Sequence, residues 1–580
     1  MGDPFTATVQ VGHRRWLEFR DPVLVLQADA PDAVRRTILD VEQLTRDRGL
    51  HAVGFLTYEA GSAFMLPMRQ SAPGLPLAWF ALYEPSHVTK VDGPRGAGPY
   101  SLGPLTPSVD RDTFDRAFAK IKTHLAAGDS YQVNYTFKLD ATFEGDAAAL
   151  FADLCAAQGG QYAAYIELGD YVICSASPEL FFEIQGAEIA SRPMKGTARR
   201  GLTLDEDRAA GAALEASAKE RAENVMVVDM VRNDLGRVAV VGTVSVPELF
   251  TVERYPTVWQ MTSLVKARSM APLDEIFAAL HPSASVTGAP KVRTLELLRE
   301  LETEPRGVYT GAVGHVPPDG LARFNVAIRT AVVNRAAGRL SFGIGSGIVW
   351  DSEPAAEYAE CLLKGAVLGR RPVPFDLLET LRWTPREGFN LLERHLDRLS
   401  ASGEYFGVPI LLADIHNALR LAVAGADVVL RVRLLVNRVG GVRVEHQPHV
   451  PTKVPLSVAL AAEPVDQSDV FLYHKTTNRL VYERARGAVI GVDEVLLWNR
   501  AGEATEATTA NLVAEIDGVR VTPPVESGVL PGTCRGAMLD AGEIREAVVT
   551  VADLGRATRL WLINSVHGER TAELVNRGRV

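Results

Sequence analysis

The chain has 580 residues, 47% of them hydrophobic and 23% charged, the proportions of a soluble globular protein with several structural units. A net charge of −10 spread through the chain argues against non-specific nucleic-acid binding, and no apolar run is long enough for a membrane-spanning helix. Met1–Phe5 lacks the regions of a secretory signal, and the four cysteines (Cys155, Cys174, Cys361, Cys534) lack metal-ligand spacing, so a cytoplasmic protein without a disulfide framework is expected.

In chain order, Tyr171–Cys174 reads as a strand. Lys195 follows in Ser191-Arg-Pro-Met-Lys195-Gly-Thr197, on a turn ahead of a basic tract, where a lysine is either a reactive amine beside an anionic ligand or a solvated loop residue. Ala209–Val231 has helical periodicity, and within 217–234 Glu220 and Glu223 share one helix face. The segment 282–293 joins a turn to a helix start that could hold a carboxylate or simply be capped. Gly343-Ile-Gly345-Ser346-Gly347-Ile-Val349 reads as a glycine turn whose N–H groups would approach an anion, or equally as a plain tight turn. A second acidic helix starts near Ser352, with Pro354 in its first turn. Glu353, Glu357, Glu360 and Lys364 form one stripe of it. Two such acidic stripes facing each other would hold Mg²⁺ through a few carboxylates; taken singly, each reads as a solvated helix face.

Gly365, Gly369, Pro372 and Pro374 interrupt helical periodicity. The seam predicts a large unit over 1–368, a linker over 369–373 and a smaller unit over 374–580. In the smaller unit Asn390–Tyr405 reads as a helix and Val428–Val436 and Val495–Trp498 as strands, with hairpin turns at Gly440-Gly441 and Asp517-Gly518. Both units therefore mix sheets and helices, an α+β class. Lys475 ends a short apolar run, Glu506 follows, and Leu530-Pro-Gly532-Thr533-Cys534 opens a helix. Read chemically, these supply a Schiff-base lysine, a carboxylate for a pyridinium nitrogen and a backbone phosphate site. Singly they are a solvated lysine, a loop glutamate and a Pro-Gly turn.

The ordered motifs Gly54-Phe-Leu-Thr-Tyr-Glu-Ala-Gly61, Gly128-Asp-Ser-Tyr-Gln132-Val-Asn134, Ser177-Pro-Glu179, Lys195-Gly-Thr197, Ala222-Glu223-Asn224, Thr287-Gly-Ala-Pro-Lys291, Tyr309-Thr-Gly311 and Gly345-Ser346-Gly347 together resemble the chorismate-utilising enzymes. That resemblance implies a large sheet/helix sandwich. It implies Mg²⁺ on Glu223, Glu360 and, directly or through water, Glu357, clamping a chorismate carboxylate. Tyr309, Arg329 and the Gly345–Ser346–Gly347 backbone would bind the rest of the substrate, with Thr287 and His281 as polar neighbours. Glu179 would act as general acid toward the departing 4-hydroxyl. Gln132 is similar to the ammonia-using members, because an amide is a poor base for water. Lys195 resembles the lysine of the aminodeoxychorismate synthases, which attacks C2 before ammonia enters at C4; that role needs an amine free of its proton.

Phe375-Asp-Leu-Leu-Glu379-Thr380, His395-Leu-Asp-Arg398-Leu399 and the Lys475, Glu506 and Thr533 segments resemble the fold-type-IV pyridoxal 5'-phosphate enzymes. The resemblance implies Lys475 as the Schiff-base lysine and Glu506 as partner of the pyridine nitrogen. Arg398 and the N–H groups of Thr533 and Cys534 would hold the phosphate, and Asn478 would lie on the substrate side. Lys475-Thr-Thr-Asn478-Arg479 is similar to the lyases of that family, while His567 stands where those lyases usually carry arginine. The two resemblances imply amination of chorismate to 4-amino-4-deoxychorismate, then elimination of pyruvate to give p-aminobenzoate. Both units are otherwise assigned, so a separate glutamine amidotransferase subunit is expected to supply ammonia. A homodimer is also compatible with the second family. The alternative is an anthranilate-forming synthase fused to a branched-chain-type aminotransferase.

Overall fold

The computed structural model describes residues 5–575 apart from His13, Ala72, Ala97, Arg370 and Pro372. Arg370 and Pro372 of the expected linker, and Met1–Pro4 of the expected signal-free start, therefore lie outside the described residues. Two compact units are present: Met1–Arg199 with Gly211–Pro372, and Arg200–Ala210 with Val373–Val580.

Among the described residues the first unit has an eleven-stranded and a ten-stranded sheet. Inner strands such as Ala78–Tyr83 and Ala164–Leu168 are buried along their whole length because both faces of each sheet are covered there. Between the sheets, Val9, Phe19, Ile166 and Ile173 of one pack with Phe55, Trp79, Tyr83 and Val313 of the other. Helices cover the outer faces: Pro31–Arg48, Ala218–Gly236 and Leu273–Leu280 share a core with the ten-stranded sheet. Arg111–Ala126, Ala147–Gln158 and Lys291–Leu301 do the same for the other sheet. This is a helix–sheet–sheet–helix sandwich.

Three local expectations change. The helix expected over Ala209–Val231 is two helices, Leu204–Ala216 and Ala218–Gly236. Ser217 breaks them: it is extended, and its hydroxyl accepts from Glu220 N, a local cap that outweighs the continuous apolar periodicity. The glycine run at 343–349 is not a turn but lies largely in the strand Arg339–Ile348, paired from Gly343↔Lys138 to Ile348↔Val133. Its glycines admit neighbouring side chains: a Cβ at Gly343 would fall 2.0 Å from the Tyr309 ring and one at Gly345 2.7 Å from Thr136. Lys195, expected on a turn, lies in the edge strand Met194–Arg199.

In the second unit a four-stranded sheet built around Leu377–Thr384 and Leu430–Val436 packs its apolar face on the helices Leu392–Phe406 and Leu412–Ala422. An eight-stranded sheet follows, in which Ala504–Ala507 pairs with both Glu494–Trp498 and Ala510–Ile516, so that six strands close on themselves around Leu456, Leu496, Leu512 and Leu562. Both expected hairpins form: Leu430–Val436 pairs with Val442–Pro448, and Ala510–Ile516 with Val519–Thr522 across Asp517-Gly518, both at positive φ.

Candidate active sites

In the first unit, strand pairing slips by one residue between Met194↔Thr262 and Thr197↔Gln260, and Gly196 takes φ +102°. Lys195 thus sits in a β-bulge, a device that re-aims a side chain. Asn224 fixes its backbone, donating from Nδ2 to Lys195 O at 3.1 Å while its Oδ1 accepts from Ser263 Oγ at 2.6 Å. One residue before Asn224 on the same helix, Glu223 pairs with Lys195 Nζ at 3.2 Å. The α-carbon of Gly347 lies beside the amine: a Cβ there would meet Lys195 Nζ at 3.0 Å and Gln132 Nε2 at 3.2 Å. Lys195, Glu223, Gln132 and Gly347 therefore converge. Gln132 Oε1 and Ser346 Oγ are buried with no hydrogen-bond partner among the described residues, leaving polar atoms for a ligand.

Glu179 is buried on the loop entering Leu180–Gln185. Burial pushes its carboxyl up to about 7, against hydrogen bonds from Ser285 and from the Met194 N–H, the residue before Lys195. Ser285 donates at 2.6 Å. It is a partner that sequence reading misses, since nothing distinguishes it within Ser283-Ala-Ser285. Tyr309 is buried against Gly343, and Arg329, in the left-handed region at φ +52°, donates to Lys364 O at 2.8 Å. The Thr287 hydroxyl is occupied by Ser283 O and Ala284 O at 3.1 and 3.2 Å, so it shapes its own loop. His281 faces Thr57 O at 3.0 Å, and burial holds it down at about 4, a neutral ring.

Among the described residues no three carboxylate, histidine or cysteine side chains gather closely enough to hold a metal ion, so the expected trio Glu223, Glu357 and Glu360 is not assembled. Two lysines account for this in part: Glu223 is paired with Lys195, and Glu360 with Lys364 at 2.7 Å. Burial alone would raise Glu360, but Lys364, Lys195 and Arg329 hold it below the usual carboxylate range. Glu220 is raised by burial and then by Glu223, with Glu360 contributing, so these three carboxylates act on one region. Hard oxygen donors in this number suit Mg²⁺, which takes one or two protein carboxylates and leaves other positions to substrate and water.

In the second unit Lys475 is half-buried, and its Nζ has no hydrogen-bond partner among the described residues. Burial, then Arg398, lowers its amine to about 8, against Glu379 and Glu506. Glu506 is buried, accepting from Tyr482 Oη at 2.8 Å and Asn511 Nδ2 at 3.0 Å, and burial pushes it up to about 7. Asn511 is Glu506's cross-strand partner and also donates to Leu530 O at 2.9 Å, tying the carboxylate to the loop before the helix Thr533–Asp540. A Cβ at Gly532 would fall 1.8 Å from Asn511 Oδ1, so a side chain at that helix cap would displace the Asn511 amide. The helix presents the N–H groups of Thr533 and Cys534 in its first turn.

Arg398 binds Glu379 through two nitrogens, at 2.9 and 2.6 Å, and donates to Pro531 O at 3.1 Å, which brings it to the same helix start. Burial opposes ionisation of Glu379, but Arg398 and His395 hold it at about 2. His395 bridges Glu379 Oε2 at 2.6 Å and Ser565 Oγ at 2.9 Å. Thr505 Oγ1, beside Glu506, is buried without a partner among the described residues. An unpartnered lysine, a buried carboxylate, an orphaned hydroxyl and a helix start with an arginine fit pyridoxal phosphate. Tyr482 is another residue that the sequence does not flag: its spacing from Glu506 carries no local signal. Asn478 Oδ1 only caps Leu480 N, at 3.5 Å, while Arg479 binds Thr508 O and lies 4.5 Å over the Tyr482 ring.

Residues 93–370 match the family model of chorismate binding enzymes, and residues 376–573 that of class IV amino-transferases. Over 255 residues the chain is 40% identical to aminodeoxychorismate synthase component 1 of Klebsiella aerogenes, covering 44% of this chain and 56% of that protein. Over 267 residues it is 40% identical to anthranilate synthase component 1 of Streptomyces coelicolor, covering 45% and 52%. The crystal structure of anthranilate synthase component I from Streptococcus pneumoniae shares the fold of the first unit, with a TM-score of 0.52 and 24% identity over 62% of this chain and 92% of that one. The chain spans about half the length of the curated relatives it matches. Among the described residues no helix is long and apolar enough to cross a membrane. One family model thus falls on each unit: the first unit carries a chorismate-binding-enzyme domain and the second a class IV amino-transferase domain.

Proposed function

We propose that the chain makes p-aminobenzoate from chorismate in two steps, one per unit, with the boundary at 369–373 and an added contribution of Arg200–Ala210 to the second. The observation that carries the reading is Lys195: a primary amine aimed by a bulge at Gln132 and Gly347, with the carboxyl of Glu179 on the neighbouring Met194 N–H. A carboxyl held at about 7 keeps much of its proton near neutrality, as a general acid must.

In the first step Lys195 Nζ bonds to C2 of chorismate as the ring double bond shifts and the C4–O bond breaks. Glu179 gives its proton to the leaving oxygen, so water departs. Ammonia then bonds to C4, the double bond returns and the C2–N bond breaks, restoring Lys195; the Glu179 carboxylate takes back a proton. Glu223 and Glu360 would hold Mg²⁺, which supplies positive charge for a substrate carboxylate. Tyr309, Arg329 and the Gly345–Gly347 edge would orient the remainder. The "component 1" of relatives supports a partner subunit as ammonia source, by this reading a glutamine amidotransferase.

In the second unit bound pyridoxal phosphate would supply an electron sink. Thr533, Cys534 and Arg398 would hold its phosphate, and Glu506, positioned by Tyr482 and Asn511, would face its ring nitrogen. Lys475, whose amine loses its proton readily near pH 8, would take the C4 proton of the substrate. Pyruvate then leaves and the ring becomes aromatic. The test is a product assay on purified chain with chorismate, Mg²⁺, an ammonium salt and pyridoxal phosphate, products being identified by mass. p-Aminobenzoate with equimolar pyruvate is expected. Anthranilate would overturn the role of Lys195, and aminodeoxychorismate alone would overturn the second step.

A further inference from the structure

One buried arginine of the first unit has no part in the chemistry above, yet its bonds run to the segments that carry it. Arg306 is 4% exposed and forks onto Glu302, with Nη2 2.7 Å from Oε1 and Nε 3.1 Å from both carboxylate oxygens. The guanidinium also lies 4.2 Å over the Tyr58 ring. Desolvation can cancel the attraction within such a pair, and apolar residues of similar volume are often as stable in its place. Stability is therefore a weak reason for burying these charges, and the destinations of the remaining donors matter more.

Those donors reach three segments that lie far apart in the chain. Nη2 donates to Asn134 O at 2.7 Å, two residues beyond Gln132. Nη1 donates to Val286 O at 2.8 Å, one residue beyond the Ser285 that holds Glu179. Nη1 also donates to Thr310 Oγ1 at 3.3 Å, next to Tyr309. Thr310 has φ +59°, a costly conformation for a β-branched residue, which persists where the surroundings over-determine it. The same segments bind one another: Asn134 N donates to Thr287 O at 2.8 Å, and Asn134 Nδ2 shares Val286 O at 2.9 Å. Glu302 Oε1 accepts in addition from Thr136 N and Oγ1, at 3.1 and 2.8 Å. The arginine's own backbone is pinned as well, since the N–H groups of Arg306 and Gly307 donate to Glu59 at 2.7 and 3.0 Å.

We propose that Arg306 is a positioning residue for the first step: with Glu302 as counter-ion, it holds Gln132, the Ser285–Glu179 pair and Tyr309 in one mutual geometry. The role rests on the reading under Proposed function. Arg306 touches none of the reacting atoms in that reading and acts through Ser285 on the proton donor. The Ser285 hydrogen bond, with one from the Met194 N–H, keeps the Glu179 carboxyl below the position that burial alone would give it. Loosening the Val286 anchor should weaken that bond and raise the carboxyl further.

The test is the pH profile of amination in the full chain, measured at constant free ammonia. Arg306→Lys keeps a cation beside Glu302 but cannot fork to the three segments. It should move the alkaline limb to higher pH by at least about half a unit, about a threefold change in proton affinity, and lower kcat at pH 7 at least about tenfold. Ser285→Ala should move the limb in the same direction, and the double variant should move it no further than Ser285→Ala alone, because the two act in series. An unmoved limb in Arg306→Lys, or shifts that add, would overturn the role. Circular dichroism checks folding; if Arg306→Lys is unfolded, Glu302→Gln, which keeps the shape and removes the counter-charge, takes its place under the same criteria. If the unsubstituted chain does not aminate chorismate, the reading under Proposed function falls, and calorimetric affinity for chorismate decides on Arg306 instead. Binding at least about tenfold weaker in the variant then supports the positioning role, and equal affinity overturns it.

Discussion

At the scale of single residues, the proposed function assigns the chemistry to two lysines and one glutamate. Lys195→Ala should lower p-aminobenzoate formation from chorismate by at least about a hundredfold, while conversion of supplied aminodeoxychorismate is unchanged. Full activity with chorismate would remove the covalent role. Lys475→Ala should do the converse: aminodeoxychorismate accumulates and the cofactor absorbance characteristic of a lysine-bound form is lost. If that absorbance persists, a different lysine holds the cofactor. Glu179 offers a pH test with a defined sign. Burial raises it to about 7, so its acid form is present below that pH and is lost as pH rises through it. Amination measured at constant concentration of free ammonia, rather than of total ammonium, should therefore fall on the alkaline side with a midpoint near 7. In Glu179→Gln that limb should vanish along with about a hundredfold or more of the rate. An unchanged profile would show that another group delivers the proton.

At the scale of elements, the site is made by irregularities in otherwise regular strands. The bulge at Lys195-Gly196 aims the lysine, and the glycines of Arg339–Ile348 clear the space into which Tyr309 and Lys195 project. Gly347 has no left-handed backbone requirement, so Gly347→Ala tests space alone. The added methyl meets the ends of Lys195 and Gln132, which can swing aside. Stability should change by less than about 1 kcal/mol, but kcat/KM for amination should drop at least about tenfold. Wild-type kinetics with a normal melting curve would mean that neither side chain needs its present position. The acidic helices illustrate the opposite case. Their spacing does mark Glu223 and Glu360 as members of one face each, yet among the described residues no three carboxylates of the two stripes gather into a metal-sized cluster. Periodicity says which residues share a face, not which of them lie opposite another helix.

At the scale of the molecule, Arg200–Ala210 lies within the sequence span of the first unit but is part of the second. His474, immediately before Lys475, faces Leu202 O at 3.1 Å; Tyr405 Oη donates to Gly201 O at 2.8 Å, and Arg200 donates to Tyr405 O at 2.8 Å while lying 4.3 Å over its ring. A chain cut to 374–580 keeps every residue matched by the class IV family model but loses these bonds. Calorimetry should show a lower unfolding midpoint for the excised piece than for the corresponding transition of the full chain, together with weaker cofactor retention. Equal midpoints and equal retention would make the segment dispensable.

What the sequence determined by itself is what neighbouring residues decide. The hairpin at Asp517-Gly518 follows from a turn dipeptide that accepts positive φ, the helix start at Pro354 from its fixed φ, and the α+β class from alternating strand and helix periodicities. Lys195, Glu179, Lys475 and Glu506 could likewise be picked out as candidates, because their motifs are short and ordered. The tertiary structure alone decided which groups surround them. Ser285 reaches Glu179 across 106 positions, Arg382 faces Arg431 through strand register, and Arg200–Ala210 joins a unit whose remainder begins at Val373. Each of these depends on long-range pairing. A one-residue slip in a strand turns a side chain to the other face, so no local window of sequence contains the answer.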